Sequence, residues 1–390
     1  MTVILIIYLV IDFSGPGKIP LKEDRVFGLN CLRAKDLIVQ EFDSNGDLWA
    51  TRGMIVYSLP KGEREFIKVA HVPTRFSIFW LRNFTIVRRL TLRPECVELV
   101  RTGKGDLCAL SAGILWALPA GEKKFTASIK IAHYGFGDQG VRNDGILSIG
   151  ESTVYFGEYF SNEKEGEVNL LRSTDDQESW QTAYHFPPGE IRHIHAVQSD
   201  PYTGKIWLCT GDANPASRVG WTDDHFNTLH TIGSGSQMWR VCQLAFTEEA
   251  VYWGTDTSVG ETTGIFKWNR KSGEIRKLAD PAGAVFFGTR LEGGTVILST
   301  NRQGYSNELD KKTRLWVIGE EDQVTAIECG TWKAYRIEFW DKFAQLRFQR
   351  NQGSPSLVVS VLNQKELRDG DLLIIDEGEL VRAVDEAKPR

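Results

Sequence analysis

Apolar residues along this chain come in short runs between polar, glycine-rich turns and rarely at the three-and-four spacing of an amphipathic helix. Runs rich in β-branched and aromatic residues, bounded by turn residues, read as strands. "LIVQEF", "CVELV", "GILSI", "HIHAV", "CQLAF", "AVFFG" and "RIEFW" each begin a unit. A polar turn and a second run ending in small residues follow, as in "ESTVYFGEY", "GKIWLCTGD", "EAVYWGTD", "GGTVILSTN" and "SPSLVVSVL". A further strand and hairpin complete the unit in "NLLRSTDDQESWQTAYHF", "RVGWTDDHFNTLHTI", "GIFKWNRKSGEIRKL", "TRLWVIGEEDQVTAI" and "DLLIIDEGELVRAV". Only "NQKELRDG" suggests a short helix.

The repetition is explicit early in the chain. "GDLWATRGMIVYSLPKGEREF" from residue 46 aligns without gaps on "GDLCALSAGILWALPAGEKKF" from residue 105, an offset of 105 minus 46, or 59. Gly46, Asp47, Leu48, Leu59, Pro60, Gly62 and Phe66 meet identical residues. Units of about 45–60 residues with four strands each have the size of a propeller blade. The pattern predicts an all-β chain, a seven-bladed β-propeller of four-stranded antiparallel blades forming one domain over residues 1–390. The blades are expected at 31–73, 95–134, 142–187, 191–232, 238–280, 284–328 and 335–385, with linker 73–95 adding a loop or strand. The opening run "MTVILIIYLVIDF" is too short to span a bilayer and lacks a preceding basic residue or a small-residue cleavage site. It reads as a strand that completes the last blade and closes the ring.

Composition narrows the functional classes. Hydrophobic residues make up 42% and charged residues 25%, ordinary globular usage, while twelve Trp and 37 Gly suit turn-rich β-structure. A net charge of -5 argues against nucleic acid as a partner, which needs clustered Lys and Arg. The six cysteines are dispersed, with no CxxC pair, so neither a zinc knuckle nor a disulfide scaffold is indicated. A monomer with no membrane span is expected; the compartment is left open, with dispersed thiols leaning towards the cytoplasm. No Gly-x-Ser-x-Gly elbow, P-loop or dinucleotide fingerprint occurs, so no nucleotide cofactor is implied.

At residues 173–180, "STDDQESW" resembles the Asp-box of BNR-repeat, sialidase-like propellers, Ser-x-Asp-x-Gly-x-Thr-Trp. Ser173, Asp175 and Trp180 match, Gln177 and Ser179 depart, and "TDDHFNT" at 222–228 is similar to a degenerate second copy. The resemblance implies a box that caps a peripheral hairpin, its Asp and hydroxyl bonding turn amides and its Trp packing inward. It also implies glycan substrates, though not a typical sialidase, since no Phe-Arg-Ile-Pro segment is present.

In a propeller, the start of each innermost strand and the end of the next strand lie on one face. Blade three brings Gln139, Arg142, Asp144, Glu158 and Tyr159 to that mouth, and blade four brings Arg192, His193, His195, Asp212 and Asn214. Blade five adds Gln237, Trp239, Arg240 and Asp256, and blade six Asn301 and Arg302. Strand alternation turns His193 and His195 to one side. They could share one ligand, such as a metal with Asp212 or Gln237 as a third partner, or simply bond backbone and carboxylates. Arg142, Arg192 and Arg240 suit carboxylate recognition, or else pairing with Asp144, Asp212 and Asp256. Trp239 could stack on a sugar ring; Trp253, inside an apolar strand, reads as core.

The expected activity is carbohydrate chemistry on an acidic, uronate-containing oligo- or polysaccharide. In a lyase, Arg240 or Arg142 neutralises the carboxylate, while His193, His195 or Tyr159 moves the α-proton and protonates the leaving oxygen. In a glycoside hydrolase, Asp212 and Asp256 would flank the bond. Arg192, Gln237 and Trp239 complete the substrate-binding set. No cofactor is called for, although a divalent metal would be compatible. The alternative is a non-catalytic glycan-binding or protein-interaction propeller.

Overall fold

The computed structural model describes residues 15–387 apart from 74–96, 112, 133–143, 258–262, 282, 306–307, 309, 334–342 and 351. Seven antiparallel sheets stand around one axis. Blade one runs outward through Ile38–Phe42, Leu48–Arg52, Ile55–Leu59 and Glu65–His71, with Lys18–Pro20 added beyond the last strand. Blades two to six follow from Glu98–Arg101, Ile146–Ile149, His193–Ser199, Leu244–Phe246 and Val285–Arg290, each with three strands outside the innermost. Innermost strands adjoin in chain order, with Gln198 linking blade four to blade five, and that of blade seven returns to blade one. The chain is a seven-bladed propeller.

Blade seven is built from both ends of the chain. Gln345–Phe348, Ser356–Leu362 and Asp371–Asp376 form its inner part, and Leu29–Ala34 and Lys22–Val26 its outer part. Leu32 pairs with Ile374 and Ala34 with Leu372. The strands that close the ring therefore lie downstream of "MTVILIIYLVIDF", which falls outside the described residues along with nearly all of the expected linker and the run "RIEFW". Blade one begins at Ile38 rather than residue 31, because residues 31–34 belong to blade seven. "NQKELRDG" is turn and bend rather than helix. The expected hairpin in "DLLIIDEGELVRAV" is a strand followed directly by helix α1 (Glu377–Ala387), whose Leu380 enters the core between blades six and seven. Among the described residues no helix is long and apolar enough to cross a membrane.

Seven hydrophobic clusters fill the seven gaps between neighbouring blades. A second strand is covered on both faces, so Ile206–Gly211 and Ala250–Gly254 are buried throughout and read as continuous apolar runs. Outermost strands such as Thr126–Lys130 are largely exposed. Buried glutamines link one innermost strand to the next. Gln40 donates to the Val97 carbonyl at 3.1 Å and accepts from the Leu99 amide at 3.0 Å; Gln198 meets the Leu244 carbonyl at 3.2 Å and amide at 2.8 Å. A carboxamide carries a donor group and an acceptor group side by side, so it substitutes for a ladder that splayed blades cannot form.

The repeat at offset 59 has a mechanical reason. Asp47 Oδ1 accepts from the Lys61 amide at 2.8 Å and Asp106 Oδ1 from the Ala120 amide at 2.7 Å, each tying two turns of one blade. Gly46 and Gly105 precede them with φ of +82° and +103°, where a side chain is strained. In the turn at 173–180, Asp175 accepts from the Ser179 amide at 3.0 Å, Ser173 Oγ accepts from the Gln177 amide at 3.1 Å, and Trp180 donates to Ser128 of blade two at 2.7 Å. The turn at 222–228 repeats the bonding: Thr222 Oγ1 accepts from the Phe226 amide at 3.0 Å and Asp224 from the Thr228 amide at 2.9 Å. The described cysteines are all buried and outside any disulfide, and burial raises the thiols of Cys31 to about 11 and Cys329 to about 12. Cys96 lies outside the described residues.

Candidate functional site

The innermost strand of blade four starts at His193, which pairs with Gly211, and a register shift between Ile194 and Ala196 leaves His195 as the extra residue. Such a bulge re-aims a side chain. The two imidazoles come together, with ring centres 5.0 Å apart. Each is held from behind by a carbonyl: His193 Nδ1 lies 3.1 Å from Phe160 O, and His195 Nδ1 lies 3.1 Å from Val241 O. A carbonyl only accepts, so each Nδ1 carries the hydrogen and each Nε2 presents a lone pair. The two Nε2 atoms face one another at 3.1 Å.

Asp212 completes the trio from the end of the second strand. Its Oδ2 is 3.4 Å from His193 Nε2 and its Oδ1 3.3 Å from His195 Nε2. The Gly211–Asp212 peptide is cis. Gly211 packs so tightly that an added Cβ would stand 2.4 Å from His195 Cε1. Two guanidiniums share the carboxylate, Arg240 Nη2 at 3.0 Å from Oδ1 and Arg192 Nη1 at 3.6 Å from Oδ2. Burial works against the Asp212 anion, but a proton on the Nε2 of His193 or His195 would bond it and hold its pKa well below the carboxylate range. Burial pushes His193 down from 6.5, which keeps that ring neutral more readily.

Three lone-pair centres meeting in one place call for a positive species between them. The Nε2–Nε2 separation of 3.1 Å and the 3.3 and 3.4 Å approaches of the two carboxylate oxygens, one to each imidazole, lie near the spacing of ligands around a cation with bonds of about 2.0–2.2 Å. His193, His195 and Asp212 thus fit a divalent cation, and the carbonyls behind both Nδ1 atoms supply the outer support such ligands need. A second group, His195, Cys242 and Asp256, fits less well, because it needs the Nδ1 already bonded to Val241.

Other expected residues fall into place unevenly. Tyr159 lies against His193 with ring centres 4.2 Å apart, half-buried. Gln237 is not aimed at a ligand; its amide nitrogen donates to Asp212 O at 3.0 Å and Asn214 Oδ1 at 2.7 Å, anchoring the loop. Trp239 is 5% exposed and stacked on Trp253 at 5.5 Å, so it packs the core rather than offering a face to a sugar. Asp256 is 1% exposed and lies behind Arg240, with Nε 3.4 Å from Oδ2, which removes it as a partner of Asp212 across a glycosidic bond. Arg302 is wholly buried on the Lys312 carbonyl and Asp310. Gln139 and Arg142 lie outside the described residues. Sequence reasoning missed the charged lining of the channel at Glu41, Glu98, Arg347 and Arg350, although charges inside "LIVQEF" and "CVELV" were its signal.

No protein-family model and no curated protein sequence matches the chain. Solved structures do. An oligogalacturonate lyase in complex with manganese is 9% identical, with 93% of this chain and 98% of that one covered at a TM-score of 0.54. YCF48 bound to D1 peptide is 10% identical over 92% and 95%, with a TM-score of 0.51. The WD40 β-propeller domain of Doa1 is 12% identical over 93% and 98%, with a TM-score of 0.50. These likenesses show the propeller fold alone.

Proposed function

We propose that this propeller acts on acidic, uronate-containing glycans by lyase-type β-elimination at the mouth of its channel. The observation that carries this reading is the meeting of His193 Nε2, His195 Nε2 and Asp212 beneath Arg240 and Arg192. A uronate carboxylate entering there finds two guanidiniums, which suit it by charge and shape. Withdrawing its charge acidifies the neighbouring C–H. Tyr159, whose ring lies against His193 of the trio, is a titratable group at this mouth, and we assign it the α-proton. The C–H electron pair becomes the new double bond, the β-oxygen departs with its bonding pair, and that oxygen takes up a proton. A divalent cation held by His193, His195 and Asp212 would supply further positive charge for the carboxylate when bound.

Two further features support the reading. An oligogalacturonate lyase solved with manganese shares the fold. The bonding in the turns at 173–180 and 222–228 supports kinship with Asp-box propellers. The mutual pairing of Arg240 with Asp212 favours the alternative, a binding module whose arginines only brace the mouth.

The test is absorbance of the unsaturated-uronate band with a panel of acidic polysaccharides, with and without EDTA. Product is expected from the wild type and a loss of at least about a hundredfold in Tyr159→Phe, the lower range of general acid–base contributions. His193→Ala should also lose calorimetric manganese binding. Absence of product on every glycan with added divalent metals, with glycan binding unchanged in His193→Ala, points to the binding module instead.

A further inference from the structure

A second cluster of ionisable groups lines the channel from blades one, two, three and seven, and the proposed chemistry uses none of it. Arg347 grips both oxygens of Glu98, at 2.9 and 2.6 Å. Arg350 also reaches Glu98 Oε2 at 3.1 Å and Gln40 Oε1 at 3.1 Å. Glu98 thus binds both guanidiniums. Glu41 keeps the Arg101 amide at 2.5 Å and a distant Arg350 Nε at 3.7 Å. Asp144 is 2% exposed, and its buried Oδ2 meets no hydrogen-bond partner among the described residues. Among the described residues three carboxyls therefore oppose two guanidiniums in a place water scarcely reaches.

A buried carboxyl without a full counter-charge takes up a proton. We propose that Glu41 and Asp144 together hold one exchangeable proton that keeps the channel electrically neutral, and that losing it weakens the ring of blades. The groups facing Asp144 are Arg350 and Arg347 of blade seven, Glu98 of blade two, Glu41 of blade one and the Cys209 thiol of blade four. Those facing Glu41 are Arg350, the Arg101 amide, Asp43 and Asp144. Burial, the largest influence on both, pushes Asp144 up to about 8 and Glu41 up to about 7 against the pull of the arginines. In the unfolded chain these groups return to their ordinary 3.8 and 4.5. Between the two ranges the folded state binds more protons, so the stabilisation is complete in acid and is lost as pH rises through about 7 to 8.

Thermal unfolding of the full chain and of Asp144→Asn and Glu41→Gln, from about pH 6 to about pH 9, tests this. The wild-type Tm is expected to fall over that span, and either variant to flatten the fall and exceed the wild type at the alkaline end. Infrared spectra of the folded wild type should show a protonated-carboxyl C=O stretch at the acid end that fades towards the alkaline end. Curves for both variants parallel to the wild type overturn the proposal. If neither variant folds, absence of that band in the wild type overturns it and its titration supports it.

Discussion

The His195 imidazole is held by one hydrogen bond behind it and by the bare Cα of Gly211 in front. Gly211→Ala would force the ring off its axis, since no heavy atom tolerates a 2.4 Å approach. The expected cost is about 1–3 kcal/mol of stability, as for other overpacked cores. Manganese affinity should fall by at least about tenfold, an amount equivalent to about 1.4 kcal/mol. Calorimetric titration and thermal unfolding of the variant measure the two effects. Unchanged affinity would show that the ring position does not matter to the trio. The same scale explains why Trp239 misleads a reader of the sequence. An indole beside "SGSQ" looks available for a sugar, and only the packing reveals Trp253 lying across its face.

Among elements, what a strand buries decides how legible it is. The second strands advertise themselves because two blades cover them, leaving no polar alternation to dilute the signal. The mouth follows from topology, and so the sequence could assemble His193, His195, Asp212 and Arg240 before any coordinates. It could not tell that Asp256 lies behind Arg240, because depth along a channel has no period. Nor could it locate α1, whose residues continue from Asp371–Asp376 without a turn. The glutamine links are similarly silent, each a single polar residue in an apolar run. Gln198→Leu would leave the Leu244 amide without its acceptor in a buried gap. The expected loss is about 1–3 kcal/mol by denaturant titration, with the mouth unaffected. A near-neutral result would mean that water replaces the carboxamide.

For the whole molecule, ring closure depends on Leu29–Ala34 meeting Asp371–Asp376. A chain starting at residue 35 would expose the backbone edge of Asp371–Asp376, a template for unwanted pairing. Such a truncation should lose its single sharp unfolding transition and run as aggregates in size-exclusion chromatography. A peptide covering residues 22–34, added during refolding, should suppress the aggregates and restore the elution position of the full chain. A well-behaved truncated monomer would show that the inter-blade packing suffices without closure.

The segment that seals the circle leaves the ribosome long before the strand it must meet. At about 5–20 residues per second, its partner strand follows only after an interval on the order of tens of seconds. Through that interval six blades can stack while an unmatched ribbon waits at the start of the row. Chaperone dependence in the cell should therefore track translation speed over the final blade more closely than over any other.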